Sequence, residues 1–499
     1  MNPTSQAPIP GTRRRLLSLL IPLVSLWSCA QAATAAEDPT VRALQQQLEQ
    51  VQATLQQLAQ ENRSLREHQE ELDRKLAELR AAAAPAVATA QTAPAGAASG
   101  SALAESAPVQ NASALPAPAA SSATGGLPAS LGNGLRLWGY GEVYYTHPTR
   151  EPSETRADLA RAVFGIGYAF DERTEFNSEY EVEHAVSSAG DVGEFEVEQF
   201  YLDRRLNDAV TVRAGLLLMP FGFINEHHEP TSFYGVQRNF VETLIIPSTW
   251  REGGFNLHGD TAAGFLWNVG LTTGFDFSKW NFAPQSPPYN SALELENSGI
   301  APLQATHQEL ALANAHNLSQ YLALGYYGVP GLTLGAAIST GKAVPVPAPA
   351  GAENGGDPRV TLWEGHARWT PGRWDLAALY ARGGVSHTAS ANAANPGSPN
   401  PIPASFYGYY LRGAYGLWQR GDYRLNPFVR FERYNMGASY EGTTGPTIPD
   451  ALWPENHDRV WTAGANFYIG PHVVLKGDYQ WFQVNPGFNR FDLGLGVSF

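Results

Sequence analysis

The stretch whose residue types most resemble a metal-binding set is Glu226-His227-His228-Glu229, two carboxylates flanking two imidazoles. Metal ligands must converge on one point, whereas adjacent side chains on an extended chain point to opposite sides. The spacing therefore predicts a polar loop, and no metal or cofactor is expected. No serine or histidine falls into an arrangement of nucleophile, base and orienting group that spacing alone can support, so no enzyme is predicted. What remains is charge that recurs at period two. Glu175, Glu179, Glu181 and Glu183, followed by Glu194, Glu196 and Glu198, stand on matching parities of two neighbouring segments. Arg161, Arg213, Arg368, Arg412, Arg424 and Arg430 hold equivalent positions elsewhere. On a β-strand such residues share one face. A charged face backed by an apolar one is a wall between water and lipid, and its fixed charges can choose among solutes by width and sign.

The elements that would carry such a wall follow from composition and pattern. The chain of 499 residues has 49 Gly, 21 Tyr, 22 Phe and 12 Trp but only 3 Met and 1 Cys, with 16% charged residues. After residue 30 no run of about 18 apolar residues occurs, which excludes a helical membrane protein. Abundant glycine and aromatics without hydrophobic runs suit a barrel in which every second residue meets lipid. The net charge of −14 argues against nucleic acid as a partner.

Three pieces precede or compose the body. Residues 1–32 read as an export signal: Arg13, Arg14 and Arg15, an apolar stretch Leu16–Trp27, then a small-residue cleavage site at Ala30-Gln31-Ala32. Cleavage there removes Cys29; a lipoprotein site at this cysteine is disfavoured by the bulky Trp27. Residues 37–80 carry heptads, with Val41, Leu48, Leu55 and Leu76 on one seam position. Leu44, Val51, Leu58, Leu65, Leu72 and Leu79 take the other, and Asn62 and Gln69 interrupt the first, the pattern of an α-helical coiled coil. Residues 81–130, rich in Ala, Pro and Ser, form a linker unable to bury a core.

From 131 to 499 the period is two. Phe164, Ile166, Tyr168 and Phe170 alternate with small residues, and Phe491, Leu493, Leu495, Val497 and Phe499 alternate with polar or small ones. Sixteen such segments begin near 135, 158, 174, 193, 210, 253, 265, 321, 332, 360, 374, 406, 423, 459, 473 and 489. Tight turns follow the even segments and long connections mostly follow the odd ones, as in an up-and-down barrel with short turns on one rim. The expected fold is all-β: a sixteen-stranded antiparallel transmembrane β-barrel, preceded by the coiled coil. Trp363, Trp369, Trp374, Trp418, Trp461 and Trp481 are expected in the aromatic girdles at the membrane interfaces.

The stretch Val212–Gly222, with Leu216-Leu217-Leu218-Met219-Pro220-Phe221, resembles the strand entering loop three of the phosphate-selective (O and P type) porins. The C-terminal strand ending on Phe499 is similar to the signal by which outer-membrane barrels are recognised. This resemblance implies an outer-membrane homotrimer of separate pores, with loop 221–252 folded inward as the constriction. Glu226, Glu229, Arg238, Glu242 and Arg251 would then stand at the constriction. Glu179, Glu181, Glu183, Glu196, Glu198, Arg161, Arg213, Arg412 and Arg430 would line the pore. The sequence departs from that family in its clustered glutamates and scarce lysines, so mild cation preference is expected instead of phosphate selectivity. Besides lipid and a second copy of itself, peptidoglycan or a periplasmic protein is an expected partner through the coiled coil. The rival readings are a coiled-coil adhesin or cell-wall anchor mounted on a barrel, and an anion-selective pore.

Overall fold

The computed structural model describes residues 74–75, 134–185, 193–284, 299–347, 356–447 and 454–499. The signal segment, the linker and the heptads lie outside the described residues, apart from Arg74 and Lys75, which are helical. The body begins with β1 (Leu135–Pro148), β2 (Arg156–Asp171), β3 (Thr174–Glu183), β4 (Phe195–Asn207), β5 (Val210–Leu218) and β6 (Arg251–Asp260). It continues through β7 (Phe265–Thr273), β8 (Leu318–Val329), β9 (Leu332–Lys342), β10 (Arg359–Trp369), β11 (Trp374–Val385) and β12 (Pro403–Tyr415). It ends with β13 (Trp418–Arg420), β14 (Tyr423–Tyr440), β15 (His457–Ile469), β16 (Val473–Phe482) and β17 (Arg490–Ser498). The short β13 continues β12 after a two-residue break, and both pair with β14, so the sheet has sixteen staves.

The sheet closes on itself. Val143 of β1 faces Leu159 of β2 on one side and Leu495 of β17 on the other, and every neighbouring pair is antiparallel. Closure leaves no strand edge unpaired, which hydrocarbon would not tolerate. Each stave starts within three residues of the position expected from the alternation. Joins such as 172–173, 208–209, 330–331 and 421–422 are tight, while 219–250 and 274–317 are long and lie on the opposite rim. Both ends of the barrel chain sit on the short-turn rim, where Ser498 N–H donates to the His472 carbonyl at 2.8 Å.

The outer face is apolar and open. Phe164, Phe170, Phe200, Leu322, Leu324, Leu493 and Leu495 are all exposed, whereas their chain neighbours turn inward. Such a continuous apolar exterior is the kind that lipid covers. Trp369, Trp374 and Trp418 mark its lower edge beside the short turns; Trp363, Trp461 and Trp481 mark its upper part, with Trp461 facing Trp481 across β15 and β16. The six-residue step from Trp363 to Trp369 corresponds to roughly 20 Å along the strand, close to the height of a bilayer's apolar band.

Strict alternation fails at one informative place. Between β3 and β4 the register passes from Glu179↔Gln199 to Tyr180↔Val197, a bulge that leaves Glu198 as the extra residue. Glu198 and Gln199 are therefore both buried inside the barrel, while Phe195 and Phe200 both point out. A second departure concerns the lumen, which is not polar throughout. The inner faces of β10, β11 and β12 carry Leu362, Leu379, Ala381, Phe406 and Tyr410, all buried in a core cluster. They have an apolar partner inside the barrel, because loop 219–250 packs against them.

Leu322 stands near the middle of β8 on the outer face, 41% exposed. Leu322→Arg is expected to cost about 2–4 kcal/mol, the penalty of a basic charge near the bilayer midplane. Denaturant-dependent refolding into lipid vesicles checks this, and an unchanged midpoint would mean that this face does not meet lipid.

Candidate functional site

Loop 219–250, hereafter L3, joins β5 to β6 and folds into a compact unit before it meets the wall. Asn225 ties its base: the side-chain amide donates to the Met219 carbonyl (2.7 Å) and the Trp250 carbonyl (2.8 Å), and its oxygen accepts from Trp250 N–H (2.7 Å). Glu242 organises its middle. Its carboxylate accepts from Phe223 N–H (2.5 Å), Ile224 N–H (2.9 Å), the Asn239 amide (2.7 Å) and the Tyr410 hydroxyl (3.0 Å). Phe240, Val241, Leu244, Ile245 and Ile246 are then presented on one side, each essentially inaccessible to solvent. Val241–Ile245 pack against β11, β12 and β14, the Phe240 ring meets Tyr434 and Phe482, and Gly408 leaves space that a Cβ would share with Val241 and Ile245 at 3.1 and 3.0 Å.

The rest of the wall supplies polar clasps. Arg430 donates to the Tyr234 carbonyl (3.1 Å) and pairs with Glu432 (2.5 Å), whose other oxygen accepts from Phe240 N–H (2.7 Å). Asp478 accepts from Val236 N–H (2.6 Å), and Asn466 bonds both the Phe233 carbonyl (3.0 Å) and Gly235 N–H (3.2 Å). Arg490 reaches the Gln237 side-chain oxygen (3.1 Å), and Arg412, paired with Asp375 at 3.0 Å, lies over the Tyr234 ring. Arg161 pairs with Glu142 (2.8 Å) and donates to the His228 carbonyl. A loop buried this deeply needs partners for its backbone groups, and these side chains provide them.

Among the described residues, two cavities lie beside L3. The larger, about 330 Å³, opens toward the long-loop rim between L3 and the β1–β4 wall. Its lining includes six carboxylates (Glu142, Glu181, Glu183, Glu194, Glu196, Glu309) and three guanidiniums (Arg161, Arg238, Arg251). Arg251 is shared by Glu196 and Glu309, and Arg161 is held by Glu142, so the excess is carried by Glu181, Glu183 and Glu194. His307 in the 274–317 connection also lines it; burial pushes this imidazole down to about 4, so it adds no positive charge at neutral pH. The smaller cavity, about 220 Å³, lies toward the short-turn rim and is walled by Phe223, Trp267, Tyr326, Tyr327 and His366 with Arg213 and Glu226. Along β4 the two are separated by a buried knot of Tyr140, Glu179, Glu198 and His228, in which the Tyr140 hydroxyl lies 3.1 Å from Glu198 and 2.5 Å from His228 Nε2.

The residues expected at the constriction thus have different surroundings. Arg238 and Arg251 line the larger cavity, and Glu226 the smaller one. Glu242 lines neither of these two cavities and is the loop's internal hub. Glu229 is half-buried on L3 and also lines neither. Of the expected wall residues, Glu181, Glu183, Glu196 and Arg161 face the larger cavity, and Arg213 faces the smaller while paired with Asp203 at 2.8 Å. Glu179 and Glu198 belong to the buried knot, and Arg412 and Arg430 hold L3. Sequence reasoning missed the anchoring residues Asp478, Glu432, Asn466 and Arg490. Their inward parity was readable, but the loop atoms they meet lie some 190 to 250 positions away in sequence.

No family model matches the chain. A protein of Aquifex aeolicus (strain VF5), described as uncharacterized, is 29% identical over 363 residues, covering 69% of this chain and 75% of that protein. Among solved structures, OmpF of Salmonella typhi in complex with daunomycin aligns with a TM-score of 0.48 at 12% identity, covering 74% of this chain and 98% of that one. The anion-selective porin of Comamonas acidovorans aligns with a TM-score of 0.42 at 12% identity, over 73% and 99% of the two chains. The outer-membrane channel DcaP of Acinetobacter baumannii gives 0.41 at 12%, over 73% and 97%. At such identities these likenesses concern barrel architecture and carry no functional content.

Glu242→Ala removes the acceptor of two backbone N–H groups and one amide inside L3, at about 1–3 kcal/mol for each donor left buried and unpaired. The barrel, closed by its own ladder, is expected to fold, read as unchanged β-sheet content by circular dichroism in detergent. L3 is expected to become cleavable by protease within 223–250, and full protection at the parent's level would refute the hub role.

Proposed function

We propose that this chain forms a passive, water-filled pore for small hydrophilic solutes or ions in a bacterial outer membrane, constricted by L3 and mildly cation-preferring. The carrying observation is the inequality of charge pairing: the guanidiniums Arg161, Arg412 and Arg430 are tied up in clasps that hold L3, whereas Glu181, Glu183 and Glu194 face the larger cavity and form no ion pair among the described residues, leaving six carboxylates against three guanidiniums in its lining. A confined acidic wall raises the local concentration of cations and repels anions. The pore performs no bond chemistry, so the protein is not an enzyme in this reading. A phosphate-selective pore would need basic residues left free along the passage, and the clasps argue against that.

The remaining parts of the proposal rest on sequence and topology. The heptads of 37–80 form a coiled coil on the periplasmic side, joined by the 81–130 linker. The position of Leu135 and Ser498 on the short-turn rim supports that side. There the coiled coil can meet peptidoglycan or a periplasmic protein, and three copies assemble as the family resemblance implies.

Reversal potentials across planar bilayers in a salt gradient test the selectivity. The parent is expected to favour cations, and Glu181→Gln/Glu183→Gln/Glu194→Gln to lower the cation-to-anion permeability ratio, on the order of two- to five-fold. Anion selectivity in the parent would overturn the reading, and the absence of any conductance would favour a plugged mount for the coiled coil. Native mass spectrometry in detergent is expected to show three chains per particle, and a monomer would remove the trimer from the proposal.

A further inference from the structure

We propose that Glu179, Glu198 and His228 form a binding site for a divalent cation that clamps L3 to the barrel wall. The three residues come from β3, from the bulge in β4 and from L3, and each offers one ligand atom within 4.8 Å of the others. All three are buried, Glu198 completely.

The imidazole is set up as a ligand. His228 Nδ1 lies 3.0 Å from the Asn225 carbonyl oxygen, which can only accept, so Nδ1 carries the proton. Nε2 is then a lone pair, directed at the Tyr140 hydroxyl (2.5 Å) and standing 3.6 Å from Glu198 Oε2. A backbone carbonyl fixing the distal nitrogen is the usual support behind a metal-bound histidine. Among the described residues neither Glu179 nor Glu198 forms an ion pair with an arginine or lysine. Glu179 accepts from Trp138 Nε1 (2.6 Å) and from the Gln199 amide, neutral donors that orient it without cancelling its charge. Glu198 Oε1 and Glu181 Oε1 are buried and have no hydrogen-bond partner among the described residues. The guanidinium of Arg161 pairs with Glu142 and bonds the His228 carbonyl, and forms no ion pair with any of these three glutamates among the described residues.

Buried carboxylates without a counter-charge are unfavourable, and a cation between Glu179, Glu198 and His228 would supply it. One imidazole nitrogen with carboxylate oxygens is a donor set for zinc or another first-row divalent ion. The Tyr140 hydroxyl, 3.1 Å from Glu198 Oε2, would then donate to that carboxylate and hold it in place. Because the knot lies between the two cavities, occupancy would fix the position of L3 against the β4 wall.

The full chain in detergent, stripped with a chelator and equilibrated with Zn2+, is the material for the test, and the readout is metal retained after desalting together with competition against a chromophoric chelator. About one Zn2+ per chain is expected, with affinity reduced about ten-fold or more in Glu198→Gln and His228→Ala and unchanged in Glu229→Gln. Should His228→Ala fail to fold, Glu179→Gln, which keeps the side chain's shape, carries the same expectation. No retained zinc, or retention insensitive to these substitutions, would overturn the site. Binding is read without conductance, so its outcome is independent of whether the barrel proves to be a cation-preferring pore.

Discussion

The structure depends on satisfying the backbone of a loop buried inside a closed barrel. A sheet closed on itself meets its own hydrogen-bonding needs, since every strand has two neighbours. L3 does not: its residues enter a volume where water is largely excluded, and each unpaired buried N–H would cost about 1–3 kcal/mol. The loop answers partly from within, through Asn225 and Glu242, and partly from the wall, through Glu432, Asp478, Asn466, Arg430 and Arg161. An apolar contact with β11, β12 and β14 adds the burial that makes the inward position favourable. The polar lumen of this barrel is accordingly the complement of one particular loop as well as a hydrated surface.

That complementarity decides which charges remain available to a solute. A guanidinium has five donors in a planar fork, suited to bridging a carboxylate and a loop carbonyl together. Arg430 and Arg161 are used in this way, and Arg412 covers an aromatic ring of the loop while paired to Asp375. Carboxylates are needed in fewer of these clasps than the chain supplies. Each of these guanidiniums is matched by a carboxylate, and Glu181, Glu183 and Glu194, which form no ion pair of their own among the described residues, stand together on the lining of the larger cavity.

The barrel was legible because alternation is a backbone property. Phe164 to Phe170 and Phe491 to Phe499 declare two faces without reference to any other segment, and turn residues such as Pro330-Gly331 mark the rim. Inward parity of Glu179, Arg161 and Arg430 was readable for the same reason. The assignments of individual roles were not, since they depend on long-range pairs: Glu242 with Tyr410, or Phe240 with Glu432. The sequence offers L3 as a charged loop, whereas Phe240-Val241 and Leu244-Ile245-Ile246, either side of Glu242-Thr243, are apolar clusters that a surface loop would not carry. Those clusters were the available sign that the loop is buried.

The bulge at Glu198 shows why local pattern and chemistry part company at this site. A regular β4 would send Glu198 inward and Gln199 to lipid. The extra residue turns both inward, so Gln199 can bond Glu179 and Glu198 can meet His228. Period-two reasoning sees a row of glutamates on one face and His227-His228 as neighbours that diverge, and the structure agrees that His227 is exposed while His228 is buried. Convergence arises because the imidazole that turns inward arrives at a place where the wall breaks its own alternation. Such irregularities gather where a sheet must re-aim a side chain. Here the re-aimed side chain stands between the two cavities, on the surface against which the loop closes.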